Sequence, residues 1–289
     1  MVGYLNAMIQ GVLLGGLYAL FAAGLSLIFG VMRMVNIAHG DLIVVAAYFA
    51  YFVMQMLGIG PFASLLVVVP VVALVGYALQ RWLLNYTLGA GDLPPLLVTI
   101  ALSIILQNAL LILFTADVHK LQAGPIEIAS WTFTDELSIG VLPALQFATA
   151  VAIIGGLQLL FYRSAFGRAF RATSDDQQVA QLMGIETRHI FALAMALSLA
   201  VVAVAGVFLA IRTNFNPFTG PLLLIFGFEA IIIGGLGSLW GTLVGGILLG
   251  IAQAIGGQIQ VGLPFVAGHV AFLAVLYFRP QGLFPKVSQ

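Results

Sequence analysis

The sequence predicts an all-α fold, a polytopic bundle of transmembrane helices with about nine spans. Three observations predict it: 62% of the 289 residues are hydrophobic, only 7% are charged, and the mean hydropathy is +1.14. A soluble domain carries about 25% charged residues, so ten basic and ten acidic residues are too few to cover a water-facing surface. This composition excludes a soluble enzyme, a disordered chain and, because the net charge is zero, a nucleic-acid-binding protein.

The charge-free runs define the spans in chain order, because about 20 apolar residues cross the hydrocarbon core as a helix. The runs 42–80 and 230–278 exceed one crossing, so each must turn back, the first at Gly58–Pro61 and the second within Gly256–Pro264. Counting a short segment that contains Glu229, we predict about nine crossings, within a range of roughly eight to ten. The predicted spans are 5–29, the two halves of 42–80, 93–116, 137–162, 189–211, 221–236 and the two segments on either side of the second turn.

Basic residues predict the orientation of the bundle. With nine spans, eight of the ten Lys and Arg residues fall on one side, and only Lys120 and Arg212 fall on the other. The positive-inside rule makes the richer side cytoplasmic, with the N-terminus outside and the C-terminus inside. The loop 117–136 then lies outside. The eight residues are Arg33, Arg81, Arg163, Arg168, Arg171, Arg188, Arg279 and Lys286.

The cytoplasmic loop 163–189 contains a predicted short helix. Ser174 as N-cap and Gln177 three residues later match a capping box, and the two acids between them, Asp175 and Asp176, favour the positive end of the helix dipole. Gly184 is predicted to end this helix of about two and a half turns, as glycines commonly do at that position.

The same predicted helix has an apolar face. Val179, Leu182 and Met183 follow the i, i+3, i+4 spacing, and a helix this short cannot bury such a face within itself. Two interpretations stay open: the helix docks on a cytoplasmic partner protein, or it folds back onto the membrane ends of its own bundle.

Polar residues near the end of the first span form a second candidate site. Asn36, His39 and Asp41 lie at or within a membrane boundary, where polar groups need partners or a water-filled cavity. They could line a pathway or its gate. Alternatively, Asn36 and Asp41 cap helix ends while His39 bonds a backbone carbonyl.

The fourth span carries four polar residues that either line the pathway or form hydrogen bonds between helices. They are Thr99, Ser103, Gln107 and Asn108.

Glu229 is the one acidic residue expected inside a span, and an ionisable residue there is a functional hypothesis by default. It could instead pair with Arg212 or lie at a helix end. Gly237, Gly241 and Gly245 follow at four-residue spacing, which favours close helix packing. The segment Gly241–Ile247 also resembles 11–17, which we attribute to chance or to shared packing needs.

Several catalytic signatures are absent from the sequence. The only lysines, Lys120 and Lys286, do not lie in a phosphate-binding loop, and no His-Glu-x-x-His motif occurs. The four histidines are far apart in the sequence, and there is no cysteine. We therefore expect no catalytic residue, metal site or bound cofactor in this chain.

Three segments resemble the permeases of branched-chain amino acid ABC importers, in particular the high-affinity leucine/isoleucine/valine permease subunit. They are VMRMVNIAHGDL (Val31–Leu42), FGRAFRATSDDQQVAQLMGI (Phe166–Ile185) and FGFEAIIIGGLGSLWGTLVGG (Phe226–Gly246). The resemblance implies one permease domain over residues 1–289, in a bacterial inner membrane. It also implies a heterodimer with a homologous permease, two cytoplasmic ATPases that use the ATP, and a periplasmic binding protein.

The resemblance leaves the substrate open between branched-chain amino acids and urea, short amides or other amino acids. The rival class is a self-sufficient secondary transporter, for which Glu229 is nearly the only candidate coupling group.

Within the coupling loop 163–189, Ala180-x-x-x-Gly184 is similar to the core by which importer permeases contact their ATPases, although the usual preceding Glu is absent. The resemblance assigns ATPase coupling to Ser174, Asp175, Gln177, Val179, Ala180, Leu182, Met183 and Gly184. The candidate pathway or gate residues are Asn36, His39, Asp41, Ser103, Asn108 and Glu229.

Overall fold

The computed structural model describes residues 2–89, 91, 93–134 and 137–284. Lys286 and two of the acids in the loop 117–136, Asp135 and Glu136, lie outside the described residues. Within these ranges the chain forms eleven α-helices, two short 3₁₀ turns (84–86 and 124–127) and one antiparallel hairpin. The elements are α1 (Val2–Met32), α2 (His39–Leu57), α3 (Pro61–Trp82), α4 (Leu93–Phe114), β1 (Ser130–Thr134), β2 (Leu137–Gly140), α5 (Val141–Arg163), α6 (Ala165–Asp175), α7 (Gln177–Leu182), α8 (Thr187–Arg212), α9 (Gly220–Gly234), α10 (Leu239–Ile259) and α11 (Pro264–Phe278).

The predicted polytopic helical bundle is confirmed. Seven of the described helices are long and apolar enough to cross a membrane, namely α1 to α5, α8 and α10. The helices α9 and α11 are apolar but have 15 residues each, which is about 22 Å of helix and shorter than a hydrocarbon core of about 30 Å. Every predicted span therefore corresponds to a helix, while the number of full crossings and the orientation stay predictions.

The predicted start of the fifth span is wrong. Residues 137–140 form β2, which pairs with β1 in the register Trp131↔Ile139 and Thr132↔Ser138, and α5 begins only at Val141. The run 137–162 is free of charge, but its first residues satisfy their backbone groups in the hairpin rather than in the helix. The otherwise all-α fold therefore includes one small β-hairpin between α4 and α5.

The helix α1 is the central element, and it packs against α10 through glycines. A Cβ atom added to Gly246 would lie 2.6 Å from the Gly15 carbonyl oxygen, and one added to Gly11 would lie 2.6 Å from Ile251 Cα. Such distances bring the two backbones into direct contact, as small residues at helix interfaces in membranes allow. Within the similar segments 11–17 and 241–247, Gly15 meets Gly246 and Ile247, whereas Gly11 meets Gly250 and Ile251. The similarity therefore reflects glycines at several separate helix contacts.

The stripe at 237, 241 and 245 packs as predicted. Added Cβ atoms on Gly241 and Gly245 would overlap backbone atoms of α9 around Ala230 and Gly234, and Gly237 approaches Gly30 of α1. The short helix α9 is therefore held between α1 and α10.

The helix α2 begins inside the bundle rather than at its end. His39, its first residue, bonds the Phe21 carbonyl oxygen, and Phe21 lies eleven residues before the end of α1 at Met32. Eleven helical residues span about 16 Å, so the non-helical segment 33–38 returns that distance along the bundle and ends in a turn in which the His39 amide donates to the Asn36 carbonyl. Gly40 touches the backbone of Gly220 at the start of α9, so the first turns of α2 and α9 meet within the bundle.

Long-range contacts define two ends of the bundle. At one end, Arg81 forms an ion pair with Glu186 at 2.5 Å. The segment that follows α11 also returns to this end, where Phe284 N–H donates to the Gly234 carbonyl. This is the basic end, which contains the described members of the arginine-rich set. At the opposite end, His119 pairs with Phe215 as an isolated β-bridge.

Candidate coupling and pathway sites

The helix α7 begins differently from the predicted capping box. Its N-cap is Asp176, whose Oδ1 accepts hydrogen bonds from the amides of Gln178 at 2.8 Å and Val179 at 3.0 Å. Ser174 lies two residues earlier, in α6, and its hydroxyl donates to the Gly30 carbonyl at 2.6 Å. The assignment of Ser174 as N-cap is therefore wrong, because that hydroxyl is used in a tertiary contact with α1.

The positions of the other capping-box residues change accordingly. Asp175 is the last residue of α6, and Gln177 is the first residue of α7, which has six residues instead of the predicted two and a half turns. Of the two aspartates predicted at the positive end of the helix dipole, Asp176 lies there as the N-cap and Asp175 does not.

The predicted end of α7 is confirmed. Gly184 has a φ of +83°, its amide donates to the Gln181 carbonyl at 3.0 Å, and the Ile185 amide donates to the Ala180 carbonyl at 3.0 Å. These two bonds form a Schellman motif, in which a glycine in the left-handed conformation closes the last helical turn.

The apolar face of α7 is uncovered in this chain. Val179 is 53% exposed, Leu182 86% and Met183 78%, whereas Ala180 on the opposite face is 2% exposed and anchors the helix to the bundle. Of the two interpretations of this face, the one in which it folds back onto its own bundle is wrong. A contiguous exposed apolar face on a loop at the basic end of the bundle is typical of a protein interaction site.

The pathway candidates Asp41 and Ser103 come together inside the bundle. Asp41 is 1% exposed, and its carboxylate accepts a hydrogen bond from the Ser103 hydroxyl at 2.5 Å and another from Gln107 Nε2 at 3.0 Å. Gln107 also donates to Ser103 Oγ at 3.2 Å. Ser103 lies at the middle of α4, so this polar cluster of α2 and α4 is at the depth of the bundle centre.

Asn36 and His39 are fully buried in the segment that leads into α2. Asn36 Oδ1 accepts from the Ala38 amide at 3.0 Å, and the Ile37 amide donates to Thr99 Oγ1 at 3.2 Å. The ring of His39 bonds a carbonyl oxygen, and since a carbonyl only accepts, Nε2 carries the proton. Of the alternative reading, only the bond from His39 to a carbonyl is observed. Asn36 bonds the amide of Ala38 in the turn before the helix, α2 has no side-chain cap, and Asp41 bonds α4.

Asn108 does not join this cluster. Its side chain is exposed on the outer face of α4, where Nδ2 donates to the Ile104 carbonyl of its own helix at 2.8 Å. The residue that reaches the cluster is its neighbour Gln107, which lies one helical turn after Ser103. The i, i+4 spacing of Ser103 and Gln107 is the sequence signal that distinguishes them.

Glu229 lies within α9 and is 4% exposed. Its Oε1 forms a hydrogen bond with His269 Nδ1 of α11, and Oε2 has no partner among the described residues. The alternative partner, Arg212, donates instead to Gln146 Oε1 at 3.4 Å, so that pairing is wrong. No local pattern in the sequence links His269 to Glu229, because the two residues are 40 positions apart.

A second polar pair, Tyr18 of α1 and Gln253 of α10, lies close to Glu229 and His269. The Tyr18 hydroxyl donates to Gln253 Oε1 at 2.5 Å, and the Tyr18 ring packs on Phe226 of α9 with centroids 5.0 Å apart. The pairs Glu229–His269 and Tyr18–Gln253 thus join α1, α9, α10 and α11 by polar contacts inside an apolar bundle.

Outside the spans, Glu127 forms an ion pair with Lys120 at 2.8 Å and accepts from the Ala123 amide at 2.5 Å. The hydrogen bond from Lys120 holds the pKa of the Glu127 carboxyl below its usual value. This pair tightens the loop between α4 and the hairpin.

These features define the class of protein: a multi-pass helical membrane protein with buried polar clusters in its bundle and an uncovered apolar helix at its basic end. The chain belongs to the family described as branched-chain amino acid transport system / permease component, whose model matches residues 7–278.

Curated relatives match along nearly the whole chain. The chain is 31% identical to the high-affinity branched-chain amino acid transport system permease protein BraD of Pseudomonas aeruginosa, over 99% of this chain and 98% of that protein. It is 28% identical to the corresponding protein LivH of Escherichia coli K12, over 99% and 97%. A probable LivH permease of Methanocaldococcus jannaschii is 31% identical over 84% of this chain and 78% of its own length.

Proposed function

We propose that this chain is the permease subunit of a bacterial ABC importer for branched-chain amino acids. One permease domain, residues 1–289, would pair with a homologous permease in the inner membrane. Two cytoplasmic ATPase subunits would hydrolyse the ATP, and a periplasmic binding protein would deliver the substrate. The chain itself would bind no cofactor. Membership of the permease family and the named activities of the relatives support this assignment.

The observation that carries the proposal is the uncovered apolar face of α7. Burying a side chain such as Leu or Met contributes roughly 1.5–3 kcal/mol, so Leu182 and Met183 together offer several kcal/mol to a partner. The defined ends of α7, capped by Asp176 and closed at Gly184, present this face as a rigid surface. The loop 163–189 would thus be the coupling loop on which an ATPase subunit docks.

The proposed mechanism is a shift between two populations of the bundle. Movement of the ATPases would displace α7 and with it α6, whose Ser174 hydroxyl is bonded to the Gly30 carbonyl of α1. Because α1 packs against α8, α9 and α10, a displacement at this contact reaches the centre of the bundle. A partner that binds one arrangement of α6 and α7 better than the other biases the bundle toward it.

The buried polar residues would serve the translocation pathway. A charged or polar group inside a span is costly unless it faces protein or a water-filled cavity. Glu229 is buried, but the side chain of its partner His269 is 43% exposed on a helix that is otherwise apolar. We therefore place that face of α11 toward the pathway or the second permease rather than toward lipid, with Asp41 and Ser103 lining the other side.

Reconstitution with the ATPase subunits and the binding protein tests the proposal. Leucine uptake into liposomes should require ATP on the ATPase side. The double variant L182A/M183A should lose ATPase association by about 100-fold, the scale of two moderate interface anchors. Ile128→Ala is the matched control, because Ile128 is 86% exposed, as Leu182 is, but lies at the opposite end.

Two results would contradict the proposal. The first is uptake by the purified chain alone without ATPase subunits, which would indicate a secondary transporter. The second is an L182A/M183A variant that binds the ATPase as tightly as the Ile128→Ala control does.

A further inference from the structure

A cavity of about 350 Å³ lies at the basic end of the bundle, between α1, α5, α6 and the start of α10. It is within the size range of ligand sites. Its walls combine apolar side chains with polar groups that point to an anion. The residues that carry the argument are Ser26, Phe161, Tyr162, Arg171, Ser238 and Trp240.

Arg171 supplies the positive charge of this cavity. Its guanidinium donates to the Phe161 carbonyl near the end of α5 and lies 5.3 Å from the centre of the Tyr162 ring. Among the described residues it has no acidic partner within salt-bridge distance. A guanidinium has five N–H donors, so a fixed group with most of its donors free remains to bind an anion.

The start of α10 adds a second source of positive potential to the cavity. Ser238 caps this helix of 21 residues by accepting from the Gly241 amide at 3.1 Å. The amides of Leu239 and Trp240, the first two residues of the helix, have no intrahelical acceptor, and both residues line the cavity. Free amides and the helix dipole at an N-terminus favour phosphate and carboxylate groups.

A third observation is a buried polar group without a partner. Ser26 of α1 lines the cavity and is 1% exposed, and its hydroxyl has no hydrogen-bond partner among the described residues. A buried hydroxyl left unsatisfied costs about 1–3 kcal/mol. The Ser26 oxygen is closed to the cavity, so this hydroxyl adds polarity to the wall and makes no direct contact with an occupant.

The surroundings of the cavity indicate where the anion comes from. Tyr162 is 66% exposed and Trp240 is 45% exposed, and both border the cavity at a helix end. Exposed Tyr and Trp beside arginines are typical of the level of the lipid headgroups. An occupant from the bilayer would present its phosphate to Arg171 and its glycerol and upper acyl chain to Phe161 and Trp240.

We propose that this cavity binds the phosphate of an anionic phospholipid, held by the Arg171 guanidinium and the N-terminus of α10. Since α6 carries Arg171 and leads directly into α7, the bound lipid fixes the segment on which the apolar face of α7 is mounted. The site itself stands independently of the proposed transport function.

Fluorescence of Trp240 tests the proposal directly. The substitutions W82F and W131F leave Trp240 as the only tryptophan, and both replaced residues are more than half exposed. The protein is placed in phosphatidylcholine bilayers that contain a small fraction of brominated lipid, whose bromine near the carbonyl end quenches tryptophan. The brominated lipid is phosphatidylglycerol in one sample and phosphatidylcholine in the other. From the quenching of Trp240 we expect brominated phosphatidylglycerol to occupy the site about five times more readily than brominated phosphatidylcholine. This is the preference that one arginine near an anionic surface provides.

The variants R171Q and R168Q separate the site from the general basic surface. Arg168 lies on the same helix, is exposed and does not line the cavity, so R168Q should keep the preference while R171Q should abolish it. Equal quenching by the two lipids in the parent protein would overturn the proposal without any variant. Loss of the preference on addition of glycerol phosphate to the buffer would also overturn it, since the site would then take a soluble anion.

Discussion

Gly246 in α10 offers a quantitative test of how the bundle is held together. In the variant Gly246→Ala the new methyl group would lie 2.6 Å from the Gly15 carbonyl oxygen and 2.9 Å from the Ala19 amide nitrogen. Both atoms belong to the backbone of α1, so neither can rotate away. The first distance is about 0.8 Å short of an ordinary contact of 3.4 Å, and the two helices must separate to accept the methyl group.

Two opposing energies determine the result. Alanine favours the helix over glycine by about 1 kcal/mol. Overpacking costs about 1–3 kcal/mol, and we expect the upper end here because the backbone must move. When the two helices separate by about 0.5–1 Å, each dispersion contact between them loses about a quarter to a half of its energy. The expected net loss is about 2 kcal/mol in the free energy of unfolding.

Gly155→Ala is the matched control, because a Cβ atom on Gly155 in α5 meets nothing within 4 Å. That variant should gain about 1 kcal/mol from helix propensity alone, which sets the two variants about 3 kcal/mol apart. Unfolding of the purified protein by increasing the mole fraction of dodecyl sulfate in mixed micelles, followed by tryptophan fluorescence, measures the difference. A Gly246→Ala variant as stable as Gly155→Ala would refute the close backbone contact between α1 and α10.

Three further predictions concern polar residues. His269→Ala should destabilise the chain by about 1–3 kcal/mol in the same unfolding assay because it leaves Glu229 buried without its partner, and adding Glu229→Gln should recover part of the loss; no recovery would contradict the pairing. Asp176→Ala should weaken the start of α7 by about 1 kcal/mol, seen as faster amide exchange at positions 178 and 179, whereas Ser174→Ala should leave these amides unchanged. Asn108→Ala should change the free energy of unfolding by less than about 0.5 kcal/mol because its side chain is exposed, and a larger loss would place Asn108 in the buried cluster.

The positions of the helices are largely encoded in the spacing of charges. The interval without charge between Asp92 and Asp117 predicts a span over 93–116, and the observed helix is α4 (Leu93–Phe114). The same rule fails at 137–140, because absence of charge does not distinguish a strand from the start of a helix. There the aromatic and β-branched residues of β1 provide the pairing partner that decides the structure.

Features of the candidate site that depend on local sequence could be predicted, and features that depend on tertiary contacts could not. Gly184 ends α7 because its own backbone conformation allows it. Ser174 and Asp176 are both competent caps, and the choice falls to Asp176 only because the Ser174 hydroxyl finds a carbonyl of α1. The partner of Glu229 depends on how α9 and α11 fold back on each other, which no local pattern encodes.

The contact between Gly15 and Gly246 also bears on how the protein is made. The first helix of the chain has its closest neighbour in α10, more than 230 residues later. At a synthesis rate of about 5–20 residues per second, α1 waits on the order of 10 to 50 s for that neighbour. During this interval the glycine-lined surface of the helix that later forms the centre of the bundle lacks its α10 partner and faces lipid or another protein.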